Sequence, residues 1–500
     1  MFCNDTATFR ETMKAGWYLS AIFWILSALN VGCTSGRTLR TDAQAPSAFD
    51  NQADTRSAAW PSKEWYRGFG SDQLNTLIET AAGNNWDLAG ARARVAQADA
   101  RARAAGAAIL PSVDAAGNAN FLAGHSGSGS GHETDWSALL SASYEVDFWG
   151  KIRATADAAK FLAAASRAQR DTLALTTLAG VGNGYFQVLA LRERLTIARA
   201  NLAAAQELLA VVQARYDAGS ASPVELATQK SALSAAALVI PELQQQEGEA
   251  RAALALLIGR VPEGFDVENT ALDSLTEPVV AAGLPSELLT RRPDVLAAEA
   301  NLQSAHADLA AARAAMFPSL SLTAAAGLQN PALNAAVLTV PGTGTTLAVT
   351  GTLAQVIFDH GRLQAQRAEA QAKQEELLAA YRLAIVSALI DVENALSGIS
   401  HLDAARQFQT ENLLQAQRAF DGAKLRYQAG SSDYLILLEA QRTLYAARDQ
   451  FVQYKLARLQ ALVGLCKALG GGWTQSAPAA ASVTPAPAAA SGTQLGNTHR

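Results

Sequence analysis

Two stretches of the chain alternate between apolar and polar residues, the pattern of a β-strand with one wet face. In residues 111–124, small or apolar residues take the odd positions and most polar residues take the even ones. Residues 135–148 alternate more regularly, with Leu139 as the exception. Because a Gly/Ser-rich loop joins them, the sequence predicts a β-hairpin over residues 111–148.

A second hairpin is predicted over residues 317–358. Residues 319–328 alternate, and a loop rich in Pro, Gly and Thr leads to a return strand near 345–358 that alternates poorly. Such strands suit a transmembrane β-barrel, although a soluble sandwich or a sheet edge has the same pattern. Since four strands cannot close a barrel and lipid does not tolerate an open edge, a membrane location requires several chains to share one barrel.

Long helical stretches follow each hairpin. Residues 150–219 and 361–430 are rich in Ala, Leu, Gln, Glu and Arg and contain no Pro, so each is predicted to be one helix of about 100 Å. We expect a weakening at Gly180–Gly184 and a kink at Pro241 in the helix that follows. An antiparallel coiled coil is the ordinary interpretation, but hairpins at the helix ends favour a conduit.

The chain is internally duplicated. The segments Arg215–Ser220 and Arg426–Ser431 match at five of six positions and lie 211 residues apart. Each half has the order helix, hairpin, long helix, turn and second helix. We therefore predict a first repeat over residues 61–258, with long helices 150–258, and a second over residues 291–473, with long helices 361–470. An equatorial segment, 259–290, joins them.

Composition narrows the function. With 17% charged and 49% hydrophobic residues the chain suits closely packed helices, and its net charge of −5 with no basic stripe speaks against nucleic acid as a partner. Three cysteines provide neither a disulfide framework nor a zinc motif. The six histidines are scattered, and neither a nucleotide-binding loop nor a G-x-S-x-G motif is present, so we expect no enzyme, cofactor or metal site.

The N-terminus predicts export. Residues 17–31 are apolar but too short for a membrane-spanning helix, so residues 1–32 are predicted to be a signal peptide whose true start is Met13. The residues before Cys33 resemble a lipobox with Asn30 in place of Leu, which predicts lipidation of Cys33; an ordinary signal peptide is the alternative. A lipidated extension, 33–60, then precedes the first repeat, and residues 474–500 are predicted to be disordered.

Several motifs between Trp65 and Trp473 resemble the TolC-like outer-membrane efflux proteins, in particular the lipoprotein branch that serves multidrug efflux. The motifs are Trp65-x-x-x-Phe69, Leu284-Pro285-Ser286-Glu287-Leu288-Leu289-x-Arg291-Arg292-Pro293-Asp294, Phe317-Pro318-Ser319, Phe358-Asp359-x-Gly361-Arg362 and Lys467-Ala468-Leu469-Gly470-Gly471-Gly472-Trp473. Cys466 departs from the family, which usually has Tyr there.

The resemblance implies a mostly α fold with a transmembrane β part. A homotrimer would form a 12-stranded barrel in the bacterial outer membrane, with four strands from each chain, continued by a long α-helical barrel in the periplasm and a mixed equatorial collar. A periplasmic adaptor and an inner-membrane pump are the implied partners, and efflux of small molecules is the implied function. A duct for type I protein secretion and a periplasmic coiled-coil scaffold or adaptor lipoprotein remain alternatives.

The resemblance also implies site residues. Family gate positions fall on Leu435, Glu439 and Arg442, where a ring of carboxylates held by Arg442 would repel anions; a solvated ion pair on a helix face is the ordinary alternative. The two turns would contact the adaptor through Arg215, Tyr216, Ala218, Gly219 and Ser220, and through Arg426, Tyr427, Ala429, Gly430 and Ser431. We expect positive φ at both turn glycines and a helix N-cap at Asp433.

Overall fold

The computed structural model describes residues 49, 60–126, 129–268, 270–280, 283, 285–329, 338–339 and 345–471 of this 500-residue chain. These residues belong to one compact unit that begins at Ala45. The predicted signal peptide, Cys33, the loop histidines 125 and 132 as side chains, Trp473 and the tail 474–500 lie outside the described residues.

Helices make up most of the described chain. They are α1 (Asp72–Asn84), α2 (Trp86–Ala107), α3 (Lys151–Asp217), α4 (Pro223–Leu257), α5 (Pro293–Ala314), α6 (Arg362–Gln428) and α7 (Tyr434–Ala468), with a short turn of helix at Leu288–Arg291. Three pairs have identical lengths: α2 and α5 have 22 residues, α3 and α6 have 67, and α4 and α7 have 35. The predicted internal repeat is therefore confirmed in three dimensions.

Local chemistry sets the helix boundaries. The side chain of Ser222 accepts a hydrogen bond from the Glu225 amide at 3.1 Å, and Pro223 takes the first position of α4. Asp433 accepts from the Leu435 amide at 3.3 Å, which confirms the predicted N-cap. A polar side chain at each start replaces the missing helical partner of a first-turn amide.

The predicted weakening at Gly180–Gly184 is wrong, because α3 continues through it without a break. A Cβ atom on Gly182 would lie 3.6 Å from Val463 and 3.9 Å from the Trp65 ring. Helix α7 and Trp65 therefore pack against the middle of α3 at ordinary van der Waals distance from this position. Helix α4 contains Pro241 in its interior, and the predicted kink there stays a prediction.

In the part of the chain that the structure describes, five antiparallel strands form one sheet in the order β1-β2-β3-β5-β4. They are β1 (Ser112–Ser126), β2 (Gly129–Val146), β3 (Ser319–Gln329), the two-residue β4 (Leu338–Thr339) and β5 (Thr345–Ala354). The return strand ends at Ala354 rather than at residue 358, and between Leu347 and Leu353 it alternates well. Its apparent irregularity came from the apolar residues 356–358, which follow the strand and are exposed.

The register gives the sheet one apolar face. Val113 lies opposite Ala142, which lies opposite Ala324, and Ala324 lies opposite Val349. The other face carries Ser112, Ser143, Thr323 and Thr350 in the neighbouring row. On this apolar face Val113 and Val349 are largely exposed in the described part of the single chain. This face suits contact with lipid.

The main core surrounds the middle of α3. Phe69 and Phe186 are fully buried with ring centroids 5.0 Å apart, and Trp65 contacts Phe69 edge to face. The hydroxyls of Ser71 and Tyr185 lie 3.0 Å apart, which satisfies both of these buried polar groups. The N-terminal segment, α1, α4 and α7 are thereby fixed to α3 and form a collar about halfway along it.

Candidate functional site

The two predicted turns have the same backbone geometry. Gly219 and Gly430 have φ of 75° and 72°, which confirms the expected positive φ. The amide after each glycine bonds back to the arginine carbonyl five residues earlier: Ser220 to Arg215 at 2.7 Å and Ser431 to Arg426 at 2.9 Å. This is the Schellman arrangement that ends a helix, and it reverses the chain within a few residues.

The two equivalent tyrosines differ in environment. Tyr216 is 38% exposed, whereas Tyr427 is 2% exposed. The guanidinium of Arg215, from the first repeat, lies 4.7 Å above the Tyr427 ring, and Tyr434 packs against the same ring edge to face. The ring of Tyr427 therefore supports the tip from inside, and only its exposed neighbours are accessible to a partner.

A buried hydrogen-bond chain ties the tip helices together. The hydroxyl of Tyr434 donates to Gln229 Oε1 at 2.6 Å, and Gln229 Nε2 donates to the Ala205 carbonyl at 2.8 Å. Gln229 is fully buried and Tyr434 is 1% exposed. Burial raises the pKa of Tyr434 to about 12, so the phenol stays a neutral donor. These two hydrogen bonds fix α7, α4 and α3 relative to one another.

The proposed gate residues share an exposed face at the start of α7. Leu435 is 61% exposed, and Glu439 and Arg442 are exposed as well. In the described chain no hydrogen bond or ion pair joins Glu439 to Arg442, so the expected hold of Arg442 on the carboxylate is absent from the single chain. Both side chains extend into solvent, as exposed i,i+3 pairs often do.

A groove of about 120 Å³ separates α3 from α6 just above the turns. Leu208, Phe420 and Tyr427 form its apolar floor, and Lys424 Nζ approaches Glu207 Oε2 to 3.4 Å across it. The groove and the exposed turn residues form one continuous end of the molecule. The 67 residues of α3 and the 67 of α6 separate this end from the strands.

At the collar, Arg292 joins three helices. Its Nη1 donates to the Ala468 carbonyl at 3.1 Å at the end of α7, and its Nη2 donates to Asp391 Oδ2 on α6 at 2.9 Å. Asp294, at the start of α5, accepts two bonds, at 3.0 Å from Nε and 2.6 Å from Nη2. The Arg292-Pro293-Asp294 motif is visible in the sequence, but the sequence does not reveal these contacts.

Opposing effects set the ionisation of this pair. Burial alone would lower the pKa of Arg292, but its hydrogen bonds and ion pairs with Asp294 and Asp391 raise it. Burial would also raise the pKa of Asp294, and the hydrogen bond and charge of Arg292 outweigh burial, so the pKa of Asp294 lies below its usual value. Both groups remain charged.

Ion pairs fasten the connector between the repeats to the collar helices. The contacts are Arg192 with Asp266, Lys455 Nζ with Asp273 Oδ1 at 2.7 Å, and Arg458 Nε with Glu277 Oε2 at 2.7 Å. The sequence predicted the segment but not these partners, since they lie more than 70 residues apart along the chain.

Two properties bear on function. By length and composition α3 and α6 would each qualify as membrane-spanning helices, a test that core helices of soluble proteins also pass. Among the described residues, no group of three or more His, Cys, Asp or Glu is placed to hold a metal ion.

Comparison with known proteins identifies the family. The sequence model of the outer membrane efflux protein family matches residues 77–260 and 284–471, once in each repeat. The chain is 46% identical over 438 residues to the pyoverdine export outer membrane protein OpmQ of Pseudomonas aeruginosa, covering 86% of this chain and 91% of that protein.

Two solved structures share the fold. The outer-membrane channel OprN superposes with a TM-score of 0.79 at 26% identity, covering 88% of this chain and all of that chain. The open state of the MtrE outer membrane channel of Neisseria gonorrhoeae gives a TM-score of 0.77 at 30% identity, covering 86% of this chain and 96% of that chain. Channels of this kind are trimers that work with efflux pump systems. This chain belongs to the outer membrane efflux protein family and is an outer-membrane efflux channel with the predicted strand-and-helix fold.

Proposed function

We propose that this channel releases pyoverdine, or a compound of the same chemical class, which an inner-membrane pump and a periplasmic adaptor deliver to it. The observation that carries this proposal is the 46% identity to the pyoverdine export protein of Pseudomonas aeruginosa over nearly the full length of both chains. A second pyoverdine export protein, from Pseudomonas putida, is 40% identical over 462 residues.

The tip is the proposed docking site for the adaptor. Its exposed residues are Tyr216, Ala218, Gly219, Ser220, Arg426, Ala429, Gly430 and Ser431, and Arg215 is half-buried beside them. Tyr427 would act indirectly, because its buried ring supports Arg215 from below. The matched backbone of the two turns gives an adaptor two nearly equivalent surfaces on each chain.

Leu435, Glu439 and Arg442 are the proposed gate. In a trimer each chain would add one copy of this exposed face near the axis, and repeated carboxylates would favour cations and disfavour anions. Since no hydrogen bond or ion pair among the described residues holds Glu439, its partners in a closed state would come from neighbouring chains. We also propose that Cys33 carries a lipid and that the lipid tethers the extension 33–60 to the outer membrane.

Cargo export tests the proposed function directly. A Pseudomonas aeruginosa strain lacking OpmQ would receive this chain, and pyoverdine in the medium and in the periplasm would be measured by chromatography. We expect pyoverdine to move from the periplasm to the medium. A correctly inserted trimer that leaves the periplasmic level unchanged would reject this cargo and return attention to other small molecules or to secreted proteins.

Lipidation has a separate test. Radiolabelled palmitate should label the wild-type chain and not Cys33→Ser. Labelling that persists in Cys33→Ser would place the lipid elsewhere, whatever the outcome of the export assay.

A further inference from the structure

Inside the chain, elements of the first repeat contact elements of the second repeat. The internal repeat predicts an equivalent set of contacts that would need a second copy of the chain. Helix α3 of the first repeat packs against α5 and α7 of the second, and strand β2 pairs with β3. By the repeat, the counterparts of these contacts join α6 to an α2, α6 to an α4, and β5 to a β1. Within one chain these three contacts are not among the substantial ones between described elements.

The internal repeat therefore predicts which surface of a second copy would pack against α6 and β5 of the first. Offsets of 211 residues for the long helices and 207 for α2 and α5 convert each contact inside the chain into a contact between copies. The bonds within each repeat support these offsets: Asn85 Nδ2 donates to the Leu257 carbonyl at 2.8 Å, as Arg292 donates to the Ala468 carbonyl at 3.1 Å.

A cleft inside the chain shows the contact in its completed form. Pro293, the first residue of α5, is buried in a cleft lined by Thr172 and Leu175 of α3 and by Lys467 of α7. The counterparts of these four residues are Trp86, Leu383, Val386 and Leu256. In the single chain all four are exposed, Trp86 by 75%, Leu383 by 70%, Val386 by 48% and Leu256 by 73%.

Helix α2 does not need a Trp at its first position. It is the first residue of α2, a position that favours Pro and at which the second repeat has Pro293. Asp391 and Ala395 line the cleft around Pro293, and their counterparts are Gly180 and Gly184, which have no side chain.

We propose that Trp86 and Leu256 of one copy pack against Leu383 and Val386 of α6 in the next copy. The indole of Trp86 then occupies the cleft between copies that is equivalent to the cleft around Pro293 inside the chain. A second copy of this chain is the occupant, because its α2 carries the surface that the repeat requires. Four exposed apolar side chains become buried together, which the hydrophobic effect favours. Trp86 is thus a determinant of the interface between copies, and this role does not depend on the cargo.

Site-directed cross-linking tests the contact in the assembled channel. Trp86→Cys and Leu383→Cys would be combined in the full chain, and isolated outer membranes would be treated with a short bis-maleimide. Because the two positions meet only between copies, we expect covalent dimers and trimers on a denaturing gel. Each single variant measures the background from native cysteines; Cys466 is fully buried.

A matched pair controls for random collision. Val224→Cys with Leu383→Cys joins two residues that are exposed to a similar degree, but Val224 lies beside the turn at the start of α4, whereas Leu383 lies about a third of the way along α6 from the end near the strands, so no ladder is expected. A native gel would verify that every variant is trimeric. An intact trimer without a ladder for the 86/383 pair, or with an equal ladder in the control pair, would overturn the proposal.

Heat dissociation of the trimer supplies a second readout. We expect Trp86→Ala to lower the dissociation temperature, Trp86→Phe to restore part of it, and Leu383→Ala to add little in the Trp86→Ala background, since contacting residues are not additive. Leu425→Ala is the control, because Leu425 is 68% exposed and its counterpart Ala214 is exposed too. Additive losses from Trp86→Ala and Leu383→Ala would contradict the contact.

Discussion

Arg458 on α7 pairs with Asp403 on α6 at the place where, 211 residues earlier, Glu247 on α4 pairs with Arg192 on α3. The cation and the carboxylate have exchanged helices between the repeats. Arg192 Nε lies 3.0 Å from Glu247 Oε1. Each arginine also reaches the connector, through Asp266 in one case and Glu277 in the other. The contact between neighbouring long helices is thus present in both repeats with its charges reversed.

Exchanging the charges of the pair formed by Arg458 and Asp403 should therefore be tolerated. We expect Arg458→Ala to destabilise the protein by about 1 kcal/mol, a small value because Asp403 is 52% exposed and solvent screens the pair. Asp403→Arg combined with Arg458→Asp should recover part of that loss, although the bond to Glu277 stays broken. Thermal unfolding followed by circular dichroism measures both.

The exposed pair of Lys373 and Glu376 on α6 is the control for the charge reversal. Lys373→Ala should change stability by less than about 0.5 kcal/mol, because both side chains are more than half exposed. If the double reversal is less stable than Arg458→Ala alone, the interpretation of a reversible contact is wrong.

The turn glycines should be sensitive because of their backbone alone. A Cβ atom on Gly430 would meet nothing within 4 Å, yet φ is 72°. Gly430→Ala should therefore cost about 1–2 kcal/mol through the left-handed backbone conformation. Gly422→Ala, in the body of α6 and equally uncrowded, should be neutral or slightly stabilising. Thermal unfolding compares them, and equal effects would contradict this reason.

Much of this fold can be predicted from its sequence, because the period of the hydrophobic pattern indicates the type of each element and the glycines that interrupt it indicate where elements end. Alternation located both hairpins, and glycines at Gly150, Gly219, Gly361 and Gly430 bounded the long helices. The end of β5 was missed, because an apolar run reads like a strand whether it pairs or simply lies exposed. Periodicity carries no information on which neighbour an element meets.

The site was harder to predict, because repeated motifs need not have repeated environments. Tyr216 and Tyr427 occupy equivalent positions, but only Tyr427 is covered, by Arg215 from the other repeat. Conversely, Asn85 and Arg292 differ chemically and yet donate to equivalent carbonyls. Both facts depend on contacts between distant segments, which one sequence does not reveal.

The Tyr434 phenol should make stability depend on alkaline pH. Its folded pKa of about 12 exceeds the ordinary value of 10.0. A raised pKa means that its contribution is complete below pH 10 and is lost as pH rises from there towards 12. We expect Tyr434→Phe to be less stable at pH 8 by about 1–2 kcal/mol, because Gln229 loses its donor, and to show a smaller loss between pH 10 and 12. Parallel pH profiles would contradict this role.

Arg292 should matter more than any other collar cation discussed above. Arg292→Ala would remove the hydrogen bonds that the guanidinium donates to Asp294, to Asp391 and to the Ala468 carbonyl, a loss of about 3 kcal/mol. Arg292→Lys should recover only part of this, since lysine cannot bond to Asp294 through two nitrogens. Chemical unfolding at neutral pH measures both variants, and equal stability of Arg292→Lys and wild type would reject the bidentate role.

Acid should weaken the same site. The folded pKa of Asp294 lies below its ordinary value of 3.8, so its contribution is present above about pH 4 and is lost as pH falls through the folded value. The stability difference between wild type and Asp294→Asn should therefore shrink below pH 4. A difference that stays constant down to pH 2 would show that Asp294 acts by packing rather than by charge.

Conductance in planar bilayers tests the proposed gate. If Leu435, Glu439 and Arg442 close the pore, the wild-type trimer should pass small, cation-selective currents, and Glu439→Ala and Arg442→Ala should each raise the current. Glu439→Gln keeps the shape and removes the charge, so it should lower cation selectivity more than it changes conductance.

Glu375→Ala, which removes an exposed carboxylate on α6, is the control and should alter neither cation selectivity nor conductance. A large wild-type current that none of these substitutions changes would mean that the pore is open at rest or closes elsewhere. Glu439 is exposed and has no ion pair among the described residues of the single chain, so it is available to partners across the axis. The substitutions at Glu439 should therefore change the ion selectivity of the pore and leave the fold intact.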